Sequence, residues 1–120
     1  MTLDVMNPVS IEARIRDISE RIANSAAVCN DRYKAFLTAD REYDQAFARA
    51  YMDHTGAAHE KKYAAELATE TERAARDIAD AAYKYADRLA KALESELRAY
   101  QSIGASVRAM FGVAGRGEGA

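Results

Sequence analysis

Large apolar residues recur along the first half of the chain at Ile11, Ile15, Ile18, Ile22, Ala26, Cys29, Tyr33, Phe36, Asp40, Tyr43, Phe47 and Ala50. Their steps alternate between three and four, the repeat that holds one stripe of a helix against a partner helix. One extra step of four around Ile22 reads as a stutter in that repeat. Asp40 is the one charged member of the stripe, and neighbouring Leu37 can turn in to cover it. The stretch "ANSAAVCND", residues 23 to 31, has the weakest helical character. It admits either a continuous helix or a kink near Asn30.

The first helix is expected to begin at Ser10, a good N-cap placed just after Pro8, with Glu12 in the first turn where negative charge suits the helix dipole. The pattern ends in "MDHTGAAHE", residues 52 to 60, where Gly56 supplies the backbone freedom a helix C-terminus needs. A second stripe follows at Tyr63, Leu67, Thr71, Ala74, Ile78, Ala82, Tyr85, Leu89, Leu93, Leu97 and Tyr100, continuing as Ile103 and Val107. Charged residues such as Glu66, Glu70, Arg73, Asp77, Lys84 and Lys91 fill the outer surface. Helical spacing makes Glu70/Arg73 and Asp80/Lys84 attractive pairs and Glu66/Glu70 a repulsive one. No β-type alternation occurs.

These periodicities predict an all-α protein: a long antiparallel helical hairpin of coiled-coil character. Residues 1–9 form an N-terminal arm, and residues 10–111 a single helical domain with helix 10–52, turn 53–60 and helix 61–111. Residues 112–120, rich in glycine, form a flexible tail. At 1.5 Å per residue each arm of the hairpin is about 60 Å long. Folding about Gly56 places Phe47 near residues 65 to 67, Phe36 near Ala75 to Ile78, and Ile15 near Leu97. Ile15, Ile22, Phe36, Phe47, Ile78, Leu89 and Leu97 are the expected core. One stripe per helix leaves a second apolar flank uncovered, including Leu37, Tyr51, Tyr83 and Leu93. Assembly into a four-helix bundle or a higher homo-oligomer would cover it.

Composition strengthens that expectation. The chain has 120 residues, of which 49% are hydrophobic, but roughly a fifth of all residues are Ala. Large side chains are therefore few, and a small domain with a thin core gains burial from a partner chain. A net charge of −2 builds in no long-range attraction to nucleic acid or anionic lipid. The single Cys29 forms no internal disulfide, which fits a reducing compartment. The first ten residues lack the basic flank and apolar run of a signal peptide. No stretch approaches the roughly 20 apolar residues of a membrane span. A cytoplasmic protein without membrane contact is expected.

Candidate chemistry is sparse. His54 and His59, with Asp53 and Glu60, are the only cluster of metal-ligand types, but the histidines lie five apart around a glycine turn. Closed zinc sites need four ligands, and helical ones place them three or four apart. No metal or other cofactor is expected. His59-Glu60 is followed by Lys61, Lys62 and Tyr63, so the HExxH pattern is absent. No nucleophile triad or phosphate-binding glycine loop is present, and a non-enzyme is expected. The seven tyrosines could stack on single-stranded bases. Tyr33, Tyr43, Tyr63 and Tyr85 fall on the two stripes, which favours packing.

The stretch "LRAYQSIGASVRAMFG", residues 97 to 112, differs from the rest. From Leu97 to Gly117 there is no acidic residue. Val107, Met110 and Phe111 lie beyond the expected start of the first helix and so lack an opposite helix to cover them. Tyr100, Ile103, Val107, Met110 and Phe111 are accordingly candidates for oligomer or partner contact, with residues 3 to 6, "LDVM", an alternative cover. Arg14 and Arg21 come from the first helix, and Arg98, Arg108 and Arg116 from the second, towards the open end. They are candidate phosphate contacts, offset by Glu12, Asp17, Glu20, Glu94 and Glu96.

The segments "YDQAFARAYMDHTG" and "LRAYQSIGASVRAMFG", joined by a charged Ala-rich helix, resemble small helical proteins encoded in early regions of actinobacterial phages and prophages. The likeness covers roughly residues 40 to 112. Gln101-Ser102 with Ser106, Val107 and Arg108 is its most specific part. It carries no catalytic residues, because many of those proteins have no assigned activity, and it implies a phage setting and host bacterial cytoplasm. Tyr83 and Asp87 match the Tyr-x-x-x-Asp/Glu spacing of secreted helical-hairpin proteins with a Trp-x-Gly turn. This chain has no Trp, its turn reads "HTGA", and the pair sits mid-helix, so that kinship is set aside.

The expectation is a non-enzymatic interaction or adaptor protein that associates with itself and binds a host protein, as a phage accessory or anti-defence factor. The alternative is a nucleic-acid- or nucleotide-binding accessory factor of phage replication or recombination that uses the arginines.

Overall fold

A computed structural model of the chain describes the backbone of residues 7–119 and the side chains of residues 7–112. Three helices account for nearly all of it, with no strand among the described residues: α1 (Pro8–Asp53), α2 (Ala58–Ala68) and α3 (Glu70–Gly119). The all-α class follows from the sequence pattern as expected.

The start of α1 is set by Asn7, not Ser10. The Asn7 side-chain oxygen accepts the Val9 backbone N–H at 2.9 Å, and its carbonyl accepts that of Ile11 at 2.9 Å. Asn7 is thus the cap, and Pro8 takes the first helical position, where its missing N–H costs nothing. The helix then runs without interruption through Asn30. Two serines on it turn their hydroxyls back to its carbonyls, Ser19 to Ile15 at 2.8 Å and Ser25 to Ile22 at 2.7 Å. That satisfies the hydroxyls without breaking the backbone ladder.

The turn is shorter than residues 53–60. Gly56 has φ +149°, a conformation L side chains rarely adopt, and Ala57 already accepts the N–H of Lys61 at 3.0 Å to open α2. The second arm is also divided, which the pattern did not predict. At Thr69, φ −115° and ψ 21° interrupt the helix for one residue. Both the Thr69 hydroxyl (2.6 Å) and its N–H (3.1 Å) converge on the Ala65 carbonyl. Back-bonding by a β-branched hydroxyl residue bends helices in this way. At the far end, α3 continues past Phe111 to Gly119, so the backbone of residues 112–119 is helical and not a tail. No proline follows to remove a donor from the ladder, although each glycine there costs up to about 1 kcal/mol relative to Ala.

The chain forms two compact units. One comprises Met1–Ala26 with Arg88–Ala120, the other Ala27–Asp87. In each, α1 packs against the second arm in antiparallel sense, because partner numbers fall as α1 numbers rise. In the first unit Ile11 meets Gly104 and Arg14 meets Tyr100. In the second Tyr33 meets Tyr83, Tyr43 meets Arg76, and Tyr51 meets Lys61.

The first unit has an ordinary aliphatic core. Ile11 and Ile18 are 1% and 0% exposed, and Val107 is buried with them. Gly104 permits the close approach: a Cβ placed there would lie 3.2 Å from Ile11 Cγ2 and 3.9 Å from Ile15 Cδ1. Ile15 therefore reaches Gly104, beyond the Leu97 level expected for it. Leu93, Leu97, Tyr100 and Ile103 are half-buried on the same face.

The second unit is packed differently. Its buried positions on the second arm are Ala65, Thr69 and Ala86. Half-buried Glu72, Arg76, Ala79 and Tyr83 complete that inward face at helical spacing. From α1, Phe36, Asp40, Tyr43 and Phe47 are half-buried as expected; Tyr51, Tyr83 and Leu93, placed by the pattern on an uncovered flank, are half-buried too. Asp40 is met by Arg76 at 3.9 Å, while Leu37 stays exposed.

Candidate interaction surface

The second arm of the 27–87 unit corrects the sequence reading. Ile78 and Leu67 are each 70% exposed, Tyr85 65% and Tyr63 62%. These four residues belong to the stripe that periodicity assigned to the core. Leu89, also expected inside, is exposed as well. The face that packs on α1 is instead the one lined by Ala65, Thr69, Glu72, Arg76, Ala79, Tyr83 and Ala86. One Glu72 carboxylate oxygen is buried there without a hydrogen-bond partner.

Two apolar faces compete along this arm, and the smaller residues lie inward. Alanines let the helix axes approach closely, and aromatic contacts fill the remaining space. Tyr33 and Tyr83 have ring centroids 5.1 Å apart, and the Arg76 guanidinium lies 4.5 Å from the Tyr43 ring centre. Phe47 packs between Tyr43 (6.1 Å) and Tyr51 (6.4 Å), with Lys61 5.7 Å from the Tyr51 ring. Arg76 thus serves three neighbours, since it also reaches Asp40 and Asp77.

The exposed stripe has regular geometry. Leu67 follows Tyr63 by four residues, Ile78 follows Leu67 by eleven, and Tyr85 follows Ile78 by seven. Steps of four, eleven and seven are close to whole turns, so the four side chains share one face of the arm. That face lies roughly opposite the inward one. Ala74 and Thr71 lie between its two halves and are themselves exposed. Along one edge run Glu66, Arg73, Asp77 and Lys84, at steps of seven, four and seven. Lys84 Nζ donates to Asp80 at 2.9 Å within the helix.

The five residues expected to make assembly contacts divide. Val107 is buried inside its own unit, because α1 begins at Pro8 and α3 packs on its first turns. It is closed to a partner. Tyr100 and Ile103 are half-buried, with Arg14 5.9 Å from the Tyr100 ring centre. Met110 and Phe111 are exposed. Residues 3 to 6, offered as alternative cover, lie outside the described residues.

The arginines divide too. Arg14 is engaged on Tyr100, and Arg108 Nη1 lies 3.5 Å from the position of a Gly104 Cβ. Arg98 donates to Ser95 on its own helix at 3.3 Å, and Arg21 is exposed. The Arg116 side chain lies outside the described residues. His54 is half-buried and His59 exposed, and among the described residues no cluster of three metal-ligand side chains forms. Among those residues no helix is long and apolar enough to cross a membrane. Comparison of the chain with protein families, curated proteins and solved structures gives no match.

The signal that sequence reasoning missed is the drift of the second stripe. Tyr85, Leu89, Leu93 and Leu97 follow at successive steps of four without a compensating three. Each such step carries the stripe about 40° round the helix. A stripe that faces out at Tyr85 therefore comes round to the half-buried side by Leu97.

Proposed function

We propose that this protein is a non-enzymatic helical interaction protein that acts through protein–protein contact on the Tyr63–Leu67–Ile78–Tyr85 face. The single observation that carries this reading is the exposure of four large apolar side chains on one helical face. Large apolar side chains exposed along one face are the kind of surface that marks interaction sites, and tyrosine is enriched at interface centres. An amphipathic helix presenting anchors at whole-turn spacing is also a recurrent recognition element. An accessory or anti-defence role in a phage setting is part of the same proposal.

A photoreactive phenylalanine analogue at Leu67 or at Ile78 tests the reading, in the purified chain and in cells that make it. Irradiation is expected to give covalent protein adducts of defined mass from both positions, and none from Gln45, an exposed polar position of α1. Failure of both stripe positions to cross-link any protein in either setting would overturn it.

A further inference from the structure

We infer that the occupant of this face is a second copy of the same chain, its α2–α3 arm running antiparallel to the first about a two-fold axis near Ala74–Ala75. The inference rests on the interaction reading above and identifies the partner.

Charge supplies the argument. Glu66, Arg73, Asp77 and Lys84 form one line beside the apolar stripe, with signs minus, plus, minus, plus. In an antiparallel pair of helices the same flank of each meets its equivalent. Reversing this line about Ala75 sets Glu66 opposite Lys84 and Arg73 opposite Asp77. Each of these four meets the opposite sign, and the symmetry makes each pair occur twice; Glu70, on the same side, falls opposite Asp80, one like-sign pair against two opposite-sign pairs. A parallel pair in register would instead set this line against the Ala64, Ala75 and Ala82 flank and leave its charges without partners across the contact.

The apolar residues fit the same arrangement. Tyr63 of one copy falls beside Tyr85 of the other, and Ile78 beside Thr71. Leu67 meets the alanines at 81 and 82, while Ala74 at the axis lets the helices come close. The opposite flank carries Ala64, Ala75 and Ala82, which present no charge to repel an identical flank. Asp77 and Lys84 already have intrachain neighbours in Arg76 and Asp80. The edge pairs therefore set direction and register, and the stripe supplies most of the association.

The test uses the 120-residue chain and its mass in solution. Wild type is expected at twice 13.2 kDa by light scattering at concentrations on the order of tens of micromolar, and Ile78→Asp at the monomer mass with its helical circular dichroism kept. Glu66→Lys and Lys84→Glu should each weaken self-association roughly tenfold, because reversal puts like charges together at two places. Mixing these two variants is the decisive step. Only if residue 66 faces residue 84 does the mixed dimer regain both opposite-sign pairs, so a mixture that associates like wild type supports the arrangement. A wild-type monomer, or a mixture no tighter than its components, would overturn it. Adducts from Leu67 to other proteins alone, with a monomeric purified chain, would also overturn it while sparing the interaction reading.

Discussion

The two units are built from the same two arms yet differ in what the second arm turns inward. In the unit formed by residues 1–26 and 88–120, isoleucine and valine lie inside and Gly104 lets α1 settle onto them. In the 27–87 unit, alanine, threonine and an arginine lie inside on the second arm, and leucine, isoleucine and tyrosine lie outside. The first arrangement is what a self-sufficient helix pair does with its large residues. The second leaves them available. On the proposed reading, the first unit serves stability and the second leaves large side chains for association.

The contrast can be broken most directly by truncating one isoleucine at each end. Ile18→Ala removes a fully buried side chain and should destabilise the chain by about 2–4 kcal/mol in denaturant melts. Ile78→Ala, measured at concentrations low enough to suppress association, should cost less than about 0.5 kcal/mol. Equal losses would show that the ends do not differ. Repeating the Ile78→Ala melt at high concentration sharpens the comparison, because a stability gap that grows with concentration reports burial by another chain.

Gly104→Val comes next. A branched side chain so close to Ile11 should cost about 1–3 kcal/mol through overpacking, and thermal melts should show it although valine replaces a helix-weakening glycine. Asn7→Ala removes the cap of α1 and should cost about 1 kcal/mol, seen as faster amide exchange confined to the first turns of α1. A modest effect is expected in the 27–87 unit, above only that of Ile78→Ala. Arg76→Ala loses the Tyr43 contact and a partly exposed ion pair, worth together about 0.5–1 kcal/mol. A larger loss would mean that the 27–87 unit depends on its polar interior more than on its alanines.

Much of this was legible in the residues. The α1 stripe follows from spacing: Ile11, Ile15, Ile18, Ile22, Phe36, Tyr43 and Phe47 all lie on the inward side. Ser25 takes the place expected of Ala26, and its hydroxyl turned to Ile22 explains how a polar residue sits there. The cap at Asn7 was misplaced because Ser10 is equally suited chemically, and only the hydrogen bond to Val9 distinguishes them. The bend at Thr69 left no mark in the periodicity, since threonine is tolerated in a helix and its back-bonding depends on local geometry. The candidate surface was visible as a stripe but assigned to the wrong side.

By itself the sequence determined that the chain is helical, where it reverses, and which residues on each arm are apolar enough to seek cover, because these follow from local periodicity and the freedom of Gly56. Which of two competing faces of the second arm turns toward α1 was decided only in three dimensions. Burial of large apolar area favoured one face. Close approach through alanines, ring contacts from Tyr33 and Tyr43, and the reach of Arg76 favoured the other, and that balance depends on what the opposite helix presents at each level.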